Sequence, residues 1–368
     1  MKIIIFYHEI QRELQNAYLL KAELVRRGHE VYIYHYDYIK QTKQVLAFVP
    51  DIIITHSFHD PRSANYMTEL FSNKITRVVN LQYEQVLSEV WEDYHIPKEL
   101  EKNAIHLCWG EHMKNRLISK GINKKNAIVV GSLSVDMDRI KFKSIYKSRE
   151  EISHEYNLQN NKQWILFISS FSMSELKHKR KKVFFSLLGE KNTLQFCEVS
   201  TKSKKIILKW IEEYIKNNDC EFIYRPHPYE KRRYNNFNIL DILEKKYDNF
   251  HLISEDSVRT WINVCDKINT WISTSVSDAY FMNKNCSILR PINIPPYLDL
   301  EIMQSFNKIS NYEDFYNYNK LNDTACLSSN ENIMKKYYFL DENKYAYEKI
   351  CDLLEKIVKK NIVMNLYK

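Results

Sequence analysis

Short β-rich runs alternate with segments of helical periodicity from the start of the chain, and this alternation restricts the possible folds more than any other feature. Residues 2–7 are β-rich, residues 11–27 place apolar side chains at helical spacing up to Gly28, and residues 30–35 form the next β-rich run. A strand, a helix and a second strand in this order form a βαβ unit, the building block of a parallel sheet. The sequence therefore predicts an α/β fold.

The alternation continues to about residue 140. Further strands are predicted at residues 51–55, 76–81, 104–109 and 127–130, and further helices at 65–71 and 111–119. Because every unit is short and alternates strand with helix, this part of the chain is predicted to form one doubly wound, open parallel sheet. The polar stretch 141–162 is predicted to be a linker with one short helix.

A second α/β series begins near residue 164. Its strands are predicted at residues 164–169, 221–224, 249–253, 267–272 and 287–289, with helices near 203–217, 238–247 and 275–282. Residues 300–340 show no clear period and are predicted to hold loops, whereas residues 343–360 are predicted to form a helical tail.

The length of 368 residues suits two domains of about 150 residues each. We therefore expect one Rossmann-like domain over residues 1–140, a linker over 141–162, a second Rossmann-like domain over 163–340 and a C-terminal helix within 341–368. Two doubly wound domains that face each other across a cleft form the architecture called GT-B, in which ligands bind at the carboxyl ends of the strands. By analogy with that architecture, the last helix is expected to pack back on the first domain.

The chain is basic, because Lys and Arg exceed Asp and Glu by 54 to 46, which gives a formal net charge of +8. Such a surplus favours anionic partners such as nucleotides, phospholipid head groups or acidic glycans, although a soluble basic surface explains it equally well. Basic residues near 177–182, 202–205 and 231–233 are candidates for contact with an anionic membrane surface. The sequence holds no recognised nucleic-acid-binding motif, so no nucleic-acid partner is expected.

The 7 cysteines occur singly, without a CxxC pair, and several lie in apolar runs. This pattern indicates reduced, buried thiols in the cytoplasm rather than a disulfide framework or a zinc site. The sequence shows no signal peptide before the first β-rich run and no apolar stretch of the roughly 20 residues needed to cross a bilayer. A cytoplasmic protein is therefore expected, either soluble or peripheral at the inner face of the membrane.

The sharpest local signal is Arg225-Pro226-His227-Pro228, which directly follows a predicted strand. Each proline locks its own φ and restricts the residue before it, so the two prolines hold His227 in a fixed backbone. Arg225 offers a planar fork for phosphate, and His227 can donate a hydrogen bond or a proton to a departing phosphate oxygen. An incidental turn that contains a histidine is the alternative interpretation.

A hydroxyl cluster follows another predicted strand of the second series. Ser273, Thr274 and Ser275 stand where a helix is predicted to begin, and Asp278 lies one turn further on. Such residues cap helices in many proteins, and the free N–H groups of a helix start attract anions. The pairing with the proline-fixed loop favours a phosphate cradle, with these predicted binding residues: Arg225, His227, Pro228, Ser273, Thr274, Ser275 and Asp278.

These two segments carry a family resemblance. "RPHP" and "STSVSDAYF" resemble the HP motif and the Ser/Thr motif of bacterial GT-B transferases that build capsules, lipopolysaccharide and teichoic acid. The opening, with Arg12-Glu13-Leu14 and residues 27–31, is similar to surface-carbohydrate biosynthesis proteins, as are Trp109-Gly110-Glu111 and Gly131-Ser132. The resemblance implies that the His and the Ser/Thr residues hold the phosphate of a CMP- or CDP-linked donor in the second domain, while the first domain receives the acceptor.

Three departures limit what the resemblance implies. No Gly-rich loop follows the first strand, so the dinucleotide fingerprint is absent. No DxD follows a strand of the first domain, so no metal cofactor is expected; Asp136-Met137-Asp138 has the spacing but is predicted to be a solvated turn. The acidic signature of some sialyltransferases is also missing, which leaves the sugar and the general base open.

A transferase that activates a hydroxyl needs a general base, which the resemblance implies should come from the first domain. The candidates are Glu9 after the first strand, Asp60 after the third and Glu84 after the fourth, and His227 is a catalytic candidate on the donor side. Glu111 is a further possibility. A carboxylate near a helix start, such as Glu9 or Glu13, has the alternative role of a solvated charge favoured by the helix dipole.

The leading hypothesis is a metal-independent glycosyltransferase that moves a sugar from a nucleotide-activated, plausibly CMP-linked, donor to a bacterial surface glycan or a lipid-linked glycan. A CDP-linked polyol-phosphate transferase would use the same two motifs. A UDP-sugar 2-epimerase shares the fold, but its expected cluster of carboxylates and histidines is not evident in the sequence. The non-enzymatic alternative is a nucleotide-binding subunit of a capsule assembly complex.

Overall fold

The computed structural model describes residues 1–36, 49–59, 77–174, 176, 178–228, 230, 238–320 and 330–366. These residues belong to two compact units, each built around one parallel sheet of six strands. The first unit draws on Met1–Gln85, Glu92–Met137 and Asn332–Lys368, and the second on Val86–Trp91 and Asp138–Glu331. The predicted α/β fold class with two doubly wound parallel sheets and a C-terminal helix is confirmed.

The sheet of the first unit has the order β2-β1-β3-β4-β5-β6, and all its pairs are parallel. Its strands are β1 Lys2–Tyr7, β2 Glu30–His35, β3 Ile52–Thr55, β4 Val78–Asn80, β5 Ile105–Cys108 and β6 Ala127–Val129. The central β1 buries Ile3, Ile4, Ile5 and Phe6 completely, as expected for a strand covered on both faces. The predicted strand positions agree with these bounds to within two residues.

Three of the described helices lie among the strands of the first sheet or directly after its last strand. They are α1 Gln15–Arg26, α2 Glu111–Ser119 and α3 Leu133–Asp138. A π-helical turn, Ile10–Leu14, leads into α1. Both α1 and α2 end before a glycine with positive φ, Gly28 at +83° and Gly121 at +89°, a conformation that favours glycine after a helix. The helix predicted over residues 65–71 lies outside the described residues.

The sheet of the second unit has the order β12-β11-β10-β7-β8-β9 and is also parallel throughout. Its strands are β7 Gln163–Ile168, β8 Cys220–Arg225, β9 Phe250–Leu252, β10 Lys267–Thr270, β11 Cys286–Leu289 and β12 Lys308–Ile309. The accompanying helices are α4 Arg149–Tyr156, α5 His178–Leu188, α6 Glu190–Asn217, α7 Asn238–Lys246, α8 Val258–Val264, α9 Ser275–Phe281 and α10 Tyr312–Lys320.

The stretch 300–340 contains regular structure that the sequence does not predict. It holds a 3₁₀ turn at Glu301–Ser305, strand β12, helix α10 and helix α11 Glu331–Tyr337. Phe315 of α10 is fully buried, and Tyr312, Tyr316 and Tyr318 pack beside it against the core. Because the apolar side chains of this helix are one phenylalanine and three tyrosines, with no aliphatic residue, its apolar period is hidden in the sequence.

Residues 141–162 pack within the second unit as a 3₁₀ segment, Ile140–Ile145, followed by α4. The start of α4 carries a capping box, in which the Ser148 side chain accepts from the Glu151 amide and the Glu151 carboxylate accepts from the Ser148 amide. Ile152 of this helix is fully buried.

The C-terminal segment belongs to the first unit and ends in α12, Ala346–Leu366. Arg27 after α1 donates to the Asp352 carboxylate of α12 at 2.8 Å. Gly110 allows the segment to approach, because a Cβ at that position would lie 2.6 Å from the backbone oxygen of Tyr337. The ring of Tyr338 stacks on Trp109 with centroids 5.5 Å apart, and the Phe339 amide donates to the Trp109 carbonyl.

The cysteines of the described residues are free and buried, as predicted: Cys108, Cys197, Cys220, Cys265, Cys286 and Cys351. Burial raises the pKa of the Cys108 thiol to about 12, so it stays protonated at neutral pH. Cys326 lies outside the described residues. No helix among those that the structure describes is both long enough and apolar enough to cross a bilayer.

Candidate functional site

The strand order of each sheet identifies the place where a ligand is expected. In a doubly wound sheet, ligands bind beyond the carboxyl ends of the strands at the point where the order of the strands reverses. The first sheet reverses between β1 and β3, and the second reverses between β7 and β10. A ligand site is therefore expected in each unit beside the residues that follow these strands.

In the second unit, the strand register brings the two predicted motifs to the same level. Ile168, the last residue of β7, is paired with Arg225 of β8 on one side and with Thr270 of β10 on the other. Adjacent strands lie about 4.8 Å apart, so the loops that follow β8 and β10 begin within about 10 Å of each other. The loop with His227 and the loop with Ser273 thus leave the same edge of the sheet on either side of the β7 loop.

The guanidinium of Arg225 is engaged inside the second unit. Its Nη1 donates to the carbonyl of Glu255 at 2.6 Å, and its Nη2 donates to the carbonyl of Asp256. The residue is buried, and burial lowers the pKa of Arg225 to about 10. Arg225 therefore holds the turn after β9, in which Asp256 has a left-handed backbone with φ of +60°.

His227 and Pro228 are half-buried at the end of the β8 loop, and the carbonyl of His227 accepts from the Glu230 amide at 2.8 Å. The Glu230 carboxylate is completely buried. Its Oε1 accepts from the Ser169 hydroxyl and from the Phe171 amide, both at 2.7 Å. Burial raises the pKa of the Glu230 carboxyl.

The hydroxyl cluster after β10 is only partly engaged. The Ser273 Oγ accepts from the Ser275 amide at 3.2 Å, just before the helix that begins at Ser275. Thr274 is exposed and makes no side-chain capping bond, and Ser275 begins the seven-residue α9. The Ile272 amide donates to the Ser170 Oγ at 2.9 Å, which ties the start of this loop to the β7 loop.

Asp278 on α9 forms part of a buried charge cluster. Arg259 of α8 donates through Nη2 to the Asp278 Oδ1 at 3.1 Å and through Nε to the Asp138 Oδ1 at 2.6 Å. Burial raises the pKa of Asp138 well above its usual value, although the Arg259 charge opposes that rise. The carboxylate of Asp278 therefore anchors the hydroxyl-bearing helix to α8.

The prediction of a solvated turn at Asp136-Met137-Asp138 is wrong. These residues end helix α3, and both carboxylates are buried. Asp136 accepts from the Tyr347 amide at 2.9 Å, and Asp138 binds Arg259. The partners lie more than 100 residues away in the chain, so the local polar pattern could not reveal them.

In the first unit, His8 and Glu9 lie directly after β1 at the switch point. The Glu9 Oε1 lies 3.5 Å from the His8 Nδ1, and the Glu9 side chain is nearly buried while that of His8 is 38% exposed. The His8 ring stacks on His56, which follows β3, with centroids 5.6 Å apart. Burial and the neighbouring His8 and Arg12 charges lower the pKa of His56 to about 3, so His56 is neutral at pH 7.

Glu13 shapes the loop that presents His8 and Glu9. Its Oε2 accepts from the His8 amide at 2.8 Å and from the Glu9 amide at 3.2 Å. Glu13 is buried rather than solvated, and its carboxylate satisfies backbone donors before the π-helical turn begins. The alternative of solvated carboxylates at Glu9 and Glu13 is therefore wrong.

Glu84 occupies the loop after β4 and is paired on both sides. Arg12 donates to its Oε1 at 2.7 Å, and the His95 Nε2 lies 3.0 Å from its Oε2. Burial favours the neutral form, but the His95 hydrogen bond and the Arg12 charge outweigh it and hold the pKa of Glu84 below its usual range. Glu111 is exposed and paired with Lys114. Asp60, the third candidate base, lies outside the described residues.

Sequence reasoning missed several groups at these edges. The most important are Ser169 and Ser170 after β7, Glu230 after the proline-fixed loop, and Arg259 beneath α9. Only the two serines had a usable signal, because they directly follow the first strand of the second series. No group of three or more His, Cys, Asp or Glu side chains within the described ranges is arranged to hold a metal ion.

No protein-family model matches the sequence, and no curated protein matches it. Solved structures do share the fold. A co-structure of S. aureus MnaA with UDP aligns with a TM-score of 0.60 at 16% identity over 95% of this chain and 95% of that one. The UDP-GlcNAc 2-epimerase of Methanocaldococcus jannaschii aligns at 0.57 and 16% identity over 97% and 100%, and the wall teichoic acid polymerase TagF at 0.64 and 12% identity over 98% and 90%. At these identities the likeness establishes the two-domain GT-B type of α/β fold and nothing further.

Proposed function

We propose that the protein is a nucleotide-sugar-dependent glycosyltransferase with its donor site in the second unit and its acceptor base in the first. The observation that supports the proposal is that β8 and β10 end at a common level on either side of β7, since the loop with His227 follows β8 and the hydroxyls of Ser273, Thr274 and Ser275 follow β10. A proline-fixed imidazole beside three hydroxyls suits the phosphate of an activated donor.

The donor half needs groups that stabilise the negative charge that develops on the leaving phosphate. His227 donates a hydrogen bond or a proton to a phosphate oxygen, and the Thr274 and Ser275 hydroxyls donate further hydrogen bonds. These groups act in place of a metal ion. Pro228 fixes the backbone after His227, and Arg225 and Asp278 support the site through their own buried partners instead of touching the phosphate.

The acceptor half needs a base that removes a proton from the attacking hydroxyl. We assign this role to His8, with Glu9 as its carboxylate partner, because His8 is the more exposed of the two and Glu9 lies beside its Nδ1. A carboxylate in that position orients the imidazole and stabilises the imidazolium that forms. Glu84 is a weaker candidate than the sequence suggests, since Arg12 and His95 already stabilise its ionised form.

One observation favours a second candidate, a UDP-sugar 2-epimerase. The sequence shows no cluster of carboxylates and histidines, yet the first unit gathers His8, Glu9 and His56 after neighbouring strands and places Glu84 against His95. Three of the solved structures with this fold carry UDP-GlcNAc 2-epimerase in their names. Incubation with UDP-GlcNAc alone separates the two proposals, because an epimerase forms its product without an acceptor.

For the donor, we propose a CMP-linked sugar transferred to a bacterial surface glycan, with a CDP-linked polyol phosphate as the alternative chemistry at the same site. Both donors present a cytidine nucleotide and a phosphate to His227. A thermal-shift series with CMP, CDP, UDP and GDP identifies the nucleotide, and a turnover assay with the matching donor then separates an enzyme from a nucleotide-binding subunit of a capsule assembly complex.

The decisive variant is His227→Ala, with His154→Ala on the exposed face of α4 as the control. Loss of one general acid or phosphate donor lowers turnover by about 10²–10⁴-fold. We expect that loss for His227→Ala with an unchanged unfolding temperature, and full activity for the control. Normal donor hydrolysis and transfer by His227→Ala would overturn the proposal.

For the location, we propose a cytoplasmic enzyme that binds the inner membrane surface through α5. Lys179, Arg180 and Lys182 are exposed on this helix beside the exposed apolar side chains Val183 and Leu187. A helix with cations around an apolar face binds anionic lipid. Co-sedimentation with vesicles of phosphatidylglycerol and phosphatidylcholine checks this, and equal recovery of the wild type and Leu187→Glu in the lipid fraction would refute it.

A further inference from the structure

We infer that Glu230 is a positioning residue for the proposed phosphate site, because it joins the His227 loop to the β7 loop. Ser170 extends this connection to the hydroxyl cluster after β10. The inference rests on the proposed function of the second unit. Neither residue is assigned to substrate contact; each acts through the loop that it holds.

Glu230 bonds to two loops through two different parts of the residue. Its backbone amide donates to the His227 carbonyl at 2.8 Å. Its carboxylate Oε1 accepts from the Ser169 hydroxyl and the Phe171 amide, both at 2.7 Å. The backbone around His227 is thereby tied to the residues on either side of Ser170.

Ser170 makes the second link. Its Oγ accepts from the Ile272 amide at 2.9 Å, and Ile272 immediately precedes Ser273. The order of contacts is therefore His227, Glu230, the β7 loop, Ser170 and the hydroxyl cluster, and it follows the order of the strands β8, β7 and β10 in the sheet. Each of the three strand-end loops is hydrogen-bonded to its neighbour.

A carboxylate is an unfavourable choice for a purely packed position. Glu230 is completely buried, so its carboxyl has lost its hydration, and the hydrogen bonds to Oε1 offset only part of that cost. One end of the network is also fixed, because the Tyr224 hydroxyl donates to the Ser169 Oγ at 2.9 Å from inside the sheet. Buried polar networks of this kind favour one defined arrangement of the chain over alternative packings.

The expected consequence follows from the tolerance of such sites. Groups that stabilise a reacting phosphate must be held to within about 0.5 Å, and a displacement of about 1 Å costs roughly a hundredfold in rate. Removal of the Glu230 carboxylate frees the β7 loop from the His227 loop. His227 and the hydroxyls of Ser273–Ser275 then lose their common reference, although all of these side chains are still present.

The test compares four variants by titration calorimetry with CMP, with CDP and with UDP. Glu230→Ala is expected to weaken binding of the nucleotide that the wild type prefers by at least about tenfold, and Ser170→Ala by a smaller factor. Glu230→Gln retains an oxygen at the Oε1 position and is expected to restore affinity to within about threefold of the wild type. The pair Glu230→Ala and Ser170→Ala is expected to be non-additive, because both break one network.

The matched control is Glu221→Gln, which alters another buried carboxylate on β8. Glu221 accepts from the Gln159 amide at 3.0 Å and lies 2.6 Å from the His251 Nε2. It lies four residues before the end of β8, which corresponds to about 13 Å along the strand. We expect a lower unfolding temperature for Glu221→Gln with unchanged nucleotide affinity.

The outcomes separate this inference from the function on which it rests. If the wild type binds none of CMP, CDP and UDP, the proposed function fails and the inference falls with it. If the wild type binds and Glu230→Ala binds equally well, the inference alone is overturned. Equal loss of affinity in Glu230→Ala and Glu221→Gln also overturns it, since that result reflects general destabilisation. Should Glu230→Ala not fold, Ser170→Ala decides the question, because a loss of nucleotide affinity at an unchanged unfolding temperature supports the inference and an unchanged affinity overturns it.

Discussion

Removal of the Arg259 charge provides the most severe test of the charge cluster in the second unit. Arg259 is buried and donates to Asp138 at 2.6 Å and to Asp278 at 3.1 Å. Arg259→Met keeps much of the apolar stem and removes the guanidinium, so two carboxyl groups are left in the interior without the cation between them.

The expected loss of stability is large. Removing one partner of a buried ion pair costs about 3–5 kcal/mol, because the remaining charge is left buried and unpaired. A domain of this size has a free energy of unfolding of only about 5–15 kcal/mol, so the variant should lose a large share of it. Asp278 carries α9, and its release should also loosen the hydroxyl cluster at Ser273–Ser275.

The loss should depend on pH with a definite sign. Burial already raises the pKa of Asp138, and loss of the Arg259 charge raises it further. A carboxyl whose pKa is higher in the folded state binds its proton more tightly there. Its stabilisation is therefore present below the unfolded pKa of about 3.9 and is lost as the pH rises through the folded value. The deficit of Arg259→Met should be smallest near pH 4 and largest above pH 7.

Urea unfolding followed by circular dichroism at pH 5 and pH 8 measures both effects. Arg26→Met is the control, because the Arg26 side chain is 71% exposed in its pair with Glu23, and such pairs contribute about 0–1 kcal/mol. Asp138→Asn in the Arg259→Met background should recover part of the loss at pH 8. A loss below about 1 kcal/mol, or one that is equal at both pH values, would refute the reasoning about this cluster.

Two further predictions concern the first unit. Gly110→Ala should destabilise it by about 1–3 kcal/mol, because the new Cβ meets the Tyr337 backbone oxygen at 2.6 Å. Gly28→Ala is the control, because there is open space around the added Cβ but the residue has a φ of +83°. It should cost about 1–2 kcal/mol through backbone strain alone. Thermal unfolding of both variants checks this, and an unchanged unfolding temperature for Gly110→Ala would contradict it. Because the pKa of His56 is lowered to about 3, the unfolded chain binds the proton first, and stability should fall by at most about 1.4 kcal/mol per pH unit from pH 6.5 downward. His56→Gln removes this contribution, so parallel stability curves for the variant and the wild type between pH 4.5 and 6.5 would count against it.

The fold was predictable because its signal is local. Runs such as Ile3 to Phe6 are apolar at every position, which marks a strand covered on both faces, and the glycine after α1 marks the end of that helix. Among the elements that escaped prediction, α10 has its apolar face built from Phe315 and tyrosines, so its period was hidden. The positions of the motifs were predicted by an equally local rule, because side chains that follow a parallel strand lie at the carboxyl edge of the sheet, where ligands bind.

The roles of the site residues were less predictable, because they depend on partners that are distant in the sequence. Nothing near Arg225 indicates that the carbonyls of Glu255 and Asp256 take up its guanidinium nitrogens. The same holds for Asp138, whose partner Arg259 is 121 residues away. A charged side chain after a strand can point to a ligand or build the loop that holds it, and only the tertiary contacts distinguish the two.

This distinction changes how the buried arginines of the second unit should be understood. Arg225 ends strand β8 and Arg290 follows strand β11, yet both are buried and donate to backbone carbonyls. Arg290 also pairs with Asp299 at 2.8 Å. Arginines used in this way build the loops, so their removal should lower stability and nucleotide affinity together. His227 is half-buried and lies beyond the strand, so its removal should lower turnover and leave stability unchanged. Parallel measurement of unfolding temperature and turnover therefore separates the scaffold of the proposed donor site from the groups that act on the phosphate.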